Sequence, residues 1–95
     1  HLIFIMTDQQ RADTIGALGA AHMITPNLDR LVREGTAFTR AFCPGATCVP
    51  SRAATFTGMY PHNIGGQSFF NWGHQRTWVQ DLADAGYHCA SIGKM

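Results

Sequence analysis

Ninety-five residues, 45% of them apolar, suffice for one small globular domain and leave no room for a second complete one. Seven Lys and Arg against six Asp and Glu give a formal charge of +1, which excludes the basic field that binds nucleic acid by counterion release. The longest apolar run, 2–6, falls far short of the roughly 18–20 residues that cross a bilayer, and no basic, apolar and small-residue order marks a signal peptide. The chain opens inside a strand-like run, so the sequence is silent on any leader upstream. Cys43, Cys48 and Cys89 cannot all pair within one chain and lack the density of a disulfide scaffold, which leaves the compartment unknown.

The run 2–6 is continuously apolar and stops at Thr7-Asp8, the pattern of a strand buried on both faces of a parallel sheet, with Asp8 at its carboxyl end. Thr25-Pro26-Asn27 then reads as an N-cap followed by proline at the first helical position. Leu28, Leu31 and Val32 supply an i, i+3, i+4 stripe and Gly35 a stop, which predicts a helix over 26–34. Segment 36–42 has the partial alternation of a strand, interrupted by Arg40 on the side of Phe38 and Phe42.

Two prolines and a glycine make 43–50 a loop, and 51–57, closed by Gly58, reads as a short helix. A longer loop rich in Gly, Asn and His follows over 60–73. Thr77 and Gln80 match a capping box, and Trp78, Val79, Leu82 and Ala85 before Gly86 predict a further helix. Segment 87–92 reads as a last strand, with Lys94 beyond its end. The order is that of an α/β fold, in which ligand sites gather beyond the carboxyl ends of the strands. No internal repeat or low-complexity tract is present.

Cys48-Val49-Pro50-Ser51-Arg52 places a thiol at the mouth of a helix, where unpaired N–H groups favour an anion, with an arginine in the first turn. By itself this is an activated cysteine or an anion site. A half-buried loop cysteine, a Cys43–Cys48 disulfide and half of a zinc site are the alternatives. Zinc needs about four ligands, and no second C-x-x-C or H-x-x-x-H cluster follows. His62 and His74 lie in polar loops and carry no assigned role; His1, His22 and His88 say less still. The aromatic stretch Phe69, Phe70, Trp72 and Trp78 is expected to pack locally rather than to face a leaving group.

Cys48-x-Pro50-Ser51-Arg52, followed by Thr57-Gly58 and Tyr60-Pro61, resembles the signature of type I sulfatases. The resemblance extends to Phe4-Ile5-Met6-Thr7-Asp8-Gln9, to Thr25-Pro26-Asn27-Leu28-Asp29-Arg30-Leu31 with Glu34-Gly35, and to Gly93-Lys94, so ordered motifs span nearly the whole chain. It implies the N-terminal part of an alkaline-phosphatase-like α/β sandwich with a mostly parallel central sheet, residues 1–95 being an incomplete catalytic domain that is inactive alone. It also implies that Cys48 is oxidised to formylglycine by a formylglycine-generating or sulfatase-maturing enzyme. The hydrated aldehyde is a geminal diol: one hydroxyl, acidified by a divalent cation, attacks sulfur and expels the alcohol. The second hydroxyl lets the sulfated hemiacetal collapse, ejecting sulfate and regenerating the aldehyde.

The resemblance further assigns Asp8 as a metal-binding acid for Ca²⁺, with Mg²⁺ or Mn²⁺ as alternatives, together with the modified Cys48. Many sulfatases carry a second acid directly after the first, where this chain has Gln9, whose neutral carbonyl oxygen can also coordinate. That Asp-Gln form is similar to some sulfatases and to the phosphonate monoester hydrolases. Arg52 would hold the formylglycine hydroxyls and Lys94 would contact a sulfate oxygen, both favouring charge on the transferred group. A plain surface role for either is the bland alternative. The family histidine expected shortly after Gly-Lys lies beyond Met95. The expected activity is thus a sulfuric ester hydrolase acting on a sulfate monoester. The rivals are a phosphonate monoester or phosphodiester hydrolase with the same nucleophile, and a non-catalytic anion-binding α/β module.

Overall fold

The structure is a computed structural model in which residues 1–65 and 74–94 are described. The chain forms two compact units, His1–Ala41 and Phe42–Met95.

In the first unit two single 3₁₀ turns, Ala12–Thr14 and Gly16–Leu18, precede helix α1, Pro26–Glu34. Pro26 at the helix start has no N–H to leave unpaired, and at the far end the Gly35 N–H closes on the Leu31 carbonyl at 2.9 Å. Thr25 precedes the helix as expected, but its hydroxyl does not cap it. It accepts the Gly16 N–H at 2.8 Å and donates to Asp29 Oδ1 at 2.8 Å, while the Ala17 N–H reaches the same carboxylate oxygen at 2.9 Å. The first turn of α1 is thereby fastened to the preceding 3₁₀ turn. The backbone approaches closely at Gly16, where a Cβ would stand 3.1 Å from Asp29 Oδ2 and 3.2 Å from the Met23 carbonyl oxygen, so a larger residue would push the joint apart by a few tenths of an ångström. Leu28 and Val32 are half-buried and Leu31 is exposed, so the predicted stripe is covered on one side only.

In the second unit helix α2 runs over Cys48–Thr57, three residues earlier than the 51–57 read from the sequence. Pro50 marks a loop in a sequence reading, yet it occupies the third helical position, where no intrahelical N–H bond is due. The first such bond is made by the Ser51 N–H to the Thr47 carbonyl at 3.2 Å. Gly58 ends the helix in the left-handed region at φ 70°, its N–H on the Ala54 carbonyl at 2.8 Å. Ala53, Ala54 and Ile64 form the small apolar core of this unit, joined by buried Pro50 and Pro61.

Helix α3, Trp78–Asp84, begins with the predicted capping box: the Gln80 N–H reaches Thr77 Oγ1, and Gln80 Oε1 accepts the Thr77 N–H at 2.7 Å. It ends in a Schellman motif, with the Gly86 N–H on the Ala83 carbonyl at 2.9 Å and the Tyr87 N–H on the Leu82 carbonyl at 3.0 Å. Trp78 packs as expected. Its ring stacks on Phe56 with centroids 5.8 Å apart, and its indole N–H donates to the Thr55 carbonyl at 3.1 Å, joining α3 to α2. Phe69, Phe70 and Trp72 lie outside the described residues.

The three expected strands are not formed as strands. Among the described residues there is no β-ladder, and segments 2–6, 36–42 and 87–92 run without one. Their apolar side chains are open to solvent, Ile3 at 83%, Phe42 at 89% and Ile92 at 99% exposure. A strand is stabilised by a neighbour's hydrogen bonds and a covering layer, and among the described residues no ladder is completed in these segments.

Candidate active site

Cys48 is the first residue of α2 and is half-buried. The loop leading to it is pressed against the helix start. A Cβ on buried Gly45 would meet the Ser51 nitrogen at 2.7 Å and the Pro50 carbonyl carbon at 3.0 Å, so glycine is required there. Cys43 does not pair with Cys48; all three cysteines are free thiols, and Cys43 Sγ donates to the Gly45 carbonyl at 3.2 Å. The first turn of α2 contains no acidic side chain, so nothing in it neutralises the positive end of the helix beside Cys48.

Arg52 is not a solvated helix arginine. It is 7% exposed, and its Nη1 donates to the Lys94 carbonyl at 2.9 Å, a contact spanning 42 positions. The structure therefore brings the Cys48 helix and the Gly93-Lys94 turn together through a buried guanidinium. Gly93 forms that turn in the left-handed region at φ 95°, and Lys94 is exposed. No sequence signal announced this bond, because its acceptor is a backbone carbonyl that any residue could offer. Gly45 was also missed: its neighbours marked a loop, but not the close approach of that loop to α2.

Asp8 and Gln9 belong to the first unit and are exposed. The Asp8 carbonyl accepts the Gln10 N–H in a tight bend. A carboxylate followed by an amide carbonyl is a hard oxygen donor set, suited to Ca²⁺ or Mg²⁺ rather than to a thiophilic metal. The set is partial: among the described residues no group of three or more His, Cys, Asp and Glu is placed to hold an ion. His62 stacks on Tyr60 with centroids 5.7 Å apart, and His74 pairs with the neighbouring Gln75 amide at 2.9 Å.

A cleft of about 440 Å³ lies at the other end of α2, lined by Thr57, Met59, Gln75, Arg76, Trp78 and Asp81. Ten helical residues, roughly 15 Å, separate the ends of α2, so this cleft is not where Cys48 would act. Arg76 is tied there to Asp81 at 2.6 Å and to Asp84, and both carboxylates raise its pKa above the ordinary value. No helix among the described residues is long and apolar enough to cross a membrane.

A cysteine opening a helix that carries no acid in its first turn, backed by a buried arginine, is an arrangement suited to receiving an anionic group. The family model described as Sulfatase matches residues 1–95. An arylsulfatase of Clostridium perfringens is 36% identical over 98 residues, which cover 100% of this chain and 20% of the relative. An N-acetylglucosamine-6-O-sulfatase of Bacteroides thetaiotaomicron is 38% identical over 97 residues, 99% of this chain and 17% of the relative. Human arylsulfatase H is 34% identical over 79 residues, 83% of this chain and 14% of the relative. No solved structure matches. The chain belongs to the sulfatase family, which implies an alkaline-phosphatase-like fold. It spans a fifth or less of the length of these curated relatives.

Proposed function

We propose that the full-length protein is a sulfuric ester hydrolase that cleaves a sulfate monoester with a formylglycine made from Cys48. The observation that carries this reading is the placement of Cys48 at the start of α2, with Arg52 one helical turn further on, buried and bonded to the Lys94 backbone. Residues 1–95 are the N-terminal part of the catalytic domain. Segments 2–6 and 87–92 become strands of a mostly parallel central sheet when the rest of the protein supplies their neighbours; the exposed apolar side chains of Ile3, Ile5 and Ile92 support this.

Residue 48, as its aldehyde hydrate, attacks sulfur and the alcohol departs. Asp8 and Gln9, with the modified residue 48, contribute oxygen ligands to a divalent cation, Ca²⁺ in the first instance and Mg²⁺ or Mn²⁺ as alternatives, and further ligands come from elsewhere in the protein. Such a cation, when bound, supplies the charge that acidifies the attacking hydroxyl. Arg52 orients the hydroxyls of residue 48, and Lys94 meets an oxygen of the transferred group; both act on charge that grows as the bond to the alcohol breaks. The relatives' names, arylsulfatase and N-acetylglucosamine-6-O-sulfatase, support a sulfate ester as substrate and leave its alcohol unassigned. A formylglycine-generating or sulfatase-maturing enzyme is the required partner.

Peptide mass spectrometry of the Cys48 segment, from protein made beside a maturing enzyme, is expected to show an aldehyde trapped by a hydrazine probe. An unmodified thiol would instead support an anion-binding module. Gln9 in place of a second acid favours a second reading, hydrolysis of phosphonate monoesters or phosphodiesters. Paired kinetics on aryl sulfate and aryl phosphonate decide between them, and a higher kcat/KM for the phosphonate would overturn the sulfatase assignment.

A further inference from the structure

The geometry points to a task for the joint between α1 and the turn that precedes it: Thr25 and Asp29 are positioning residues for Asp8 and Gln9, a role that rests on the sulfatase reading of those two as metal ligands. All four belong to the first unit. A hard cation takes its oxygen ligands within a narrow range, about 2.3–2.6 Å for Ca²⁺, so two neighbouring ligands on an exposed bend serve it best when both ends of that bend are held. Upstream, the strand proposed over 2–6 does this.

Downstream, a run of tight turns connects the bend to α1. The Gln10 N–H closes on the Asp8 carbonyl, and the Thr14 N–H and hydroxyl both reach the Arg11 carbonyl, at 3.2 and 2.7 Å. The Leu18 and Gly19 N–H groups then reach the Ile15 and Gly16 carbonyls, each at 3.0 Å. These bonds shape the individual turns, and the joint ties the run to a helix. There the Gly16 N–H meets the Thr25 hydroxyl at 2.8 Å and the Ala17 N–H meets the Asp29 carboxylate at 2.9 Å. Burial follows the same course: residues 7–13 are exposed, 14–16 half-buried, and Ala20 is buried.

Asp29 suits the task because one of its oxygens accepts both the Ala17 N–H and the Thr25 hydroxyl, and a bond to an ionised acceptor is stronger than a neutral one. It also sits in the first turn of α1, a more rigid base than a loop. Because the intervening turns are closed by their own bonds, a shift at Gly16 is passed on to the bend at Asp8 rather than taken up by slack.

The test is a Ca²⁺ titration by calorimetry of metal-stripped full-length protein, with formylglycine content matched because residue 48 is itself a proposed ligand. Asp8→Ala sets the scale, its dissociation constant rising about 100-fold. Parental affinity in that variant would overturn the ligand assignment and this inference with it. Asp29→Ala should raise the constant about 10-fold, the scale for a group that holds a ligand from behind. An unchanged constant, beside a weakened Asp8→Ala, would overturn the positioning role and leave the sulfatase reading standing.

Thr25→Val keeps the charge and nearly the volume of the joint and removes only the hydroxyl. It should weaken Ca²⁺ binding about 5-fold, on the scale of a lost hydrogen bond, and it decides the matter even if Asp29→Ala fails to fold. Thr77→Ala removes the capping box of α3 in the second unit, so it should lower the Tm with Ca²⁺ affinity at the parental value. If Thr77→Ala weakens Ca²⁺ binding as much as Thr25→Val does, affinity follows general stability and the inference is overturned.

Discussion

Helix α1 in the first unit and α2 in the second are each preceded by a threonine, Thr25 and Thr47, whose hydroxyl does not cap the helix. Each has a proline in its first turn, and each has an arginine five positions after that threonine, Arg30 and Arg52. They differ at the fourth position, where α1 has Asp29 and α2 has Ser51. In α1 the carboxylate takes the Ala17 N–H and the Thr25 hydroxyl, which hold its pKa below the ordinary carboxylate value, and Arg33 lowers it further. The positive end of α1 is therefore neutralised from within, and Arg30 lies exposed. In α2 no acid serves that purpose, and the corresponding arginine turns inward onto another backbone. Similar local ingredients thus give a closed structural joint in one helix and, in the other, a start open to an anion from outside.

The largest expected effect comes from removing the group that gives the second helix start its use. Cys48→Ala in the full-length protein should lower turnover on the order of a million-fold, as loss of a nucleophile does, with unfolding by urea little changed. Undiminished hydrolysis of an aryl sulfate by this variant would remove Cys48 from the chemistry. Next, Ser51→Asp transplants the α1 solution into α2. It should reduce kcat/KM about 100-fold while leaving stability equal or higher by about 0.5 kcal/mol, since an acid in the first turn suits the dipole and repels the anion. Formylglycine content, measured by mass spectrometry, separates this effect from poor maturation; unchanged kinetics would mean that the open start of α2 does not serve the substrate.

A smaller effect is expected from Gly45→Ala, which forces the loop off the first turn of α2. It should cost about 1–3 kcal/mol in urea unfolding, and a variant as stable as the parent would show that the loop relaxes freely. The smallest effect belongs to the closed joint. Asp29 has a depressed folded pKa, so its contribution to stability is present above the unfolded carboxylate pKa, about 3.9, and is lost as pH falls through the folded value. Asp29→Asn should lower the Tm at pH 7, with the difference from the parent shrinking on acidification below about pH 4. A difference that stays constant from pH 7 to pH 3 would mean that the charge of Asp29 contributes nothing.

The helices show how far the sequence carries. The span 26–34 was legible because Pro26 and Gly35 lie at its two ends, and the Thr77–Gln80 capping box and Gly86 marked α3 equally well. The start of α2 was misread because Pro50 signals a break unless it falls within a first turn, and that depends on where the loop bearing Gly45 lies. Cys48, Arg52, Lys94, Asp8 and Gln9 could be singled out by motif, but the motif says nothing of the Arg52 bond to the Lys94 carbonyl or of the Thr25–Asp29–Gly16 fastening.

The sequence by itself determined the family and the three helices, because a helix closes its own i→i−4 bonds and its caps lie within a few residues of its ends. Tertiary structure alone decided that Arg52 is buried, which backbone it holds and how the loop before Cys48 lies against α2, since each depends on partners distant in the chain or on close backbone approach. Segments 2–6 and 87–92 mark the same boundary from the other side. Their residues favour strands, but a strand's hydrogen bonds belong to its neighbours, so no local pattern can complete one.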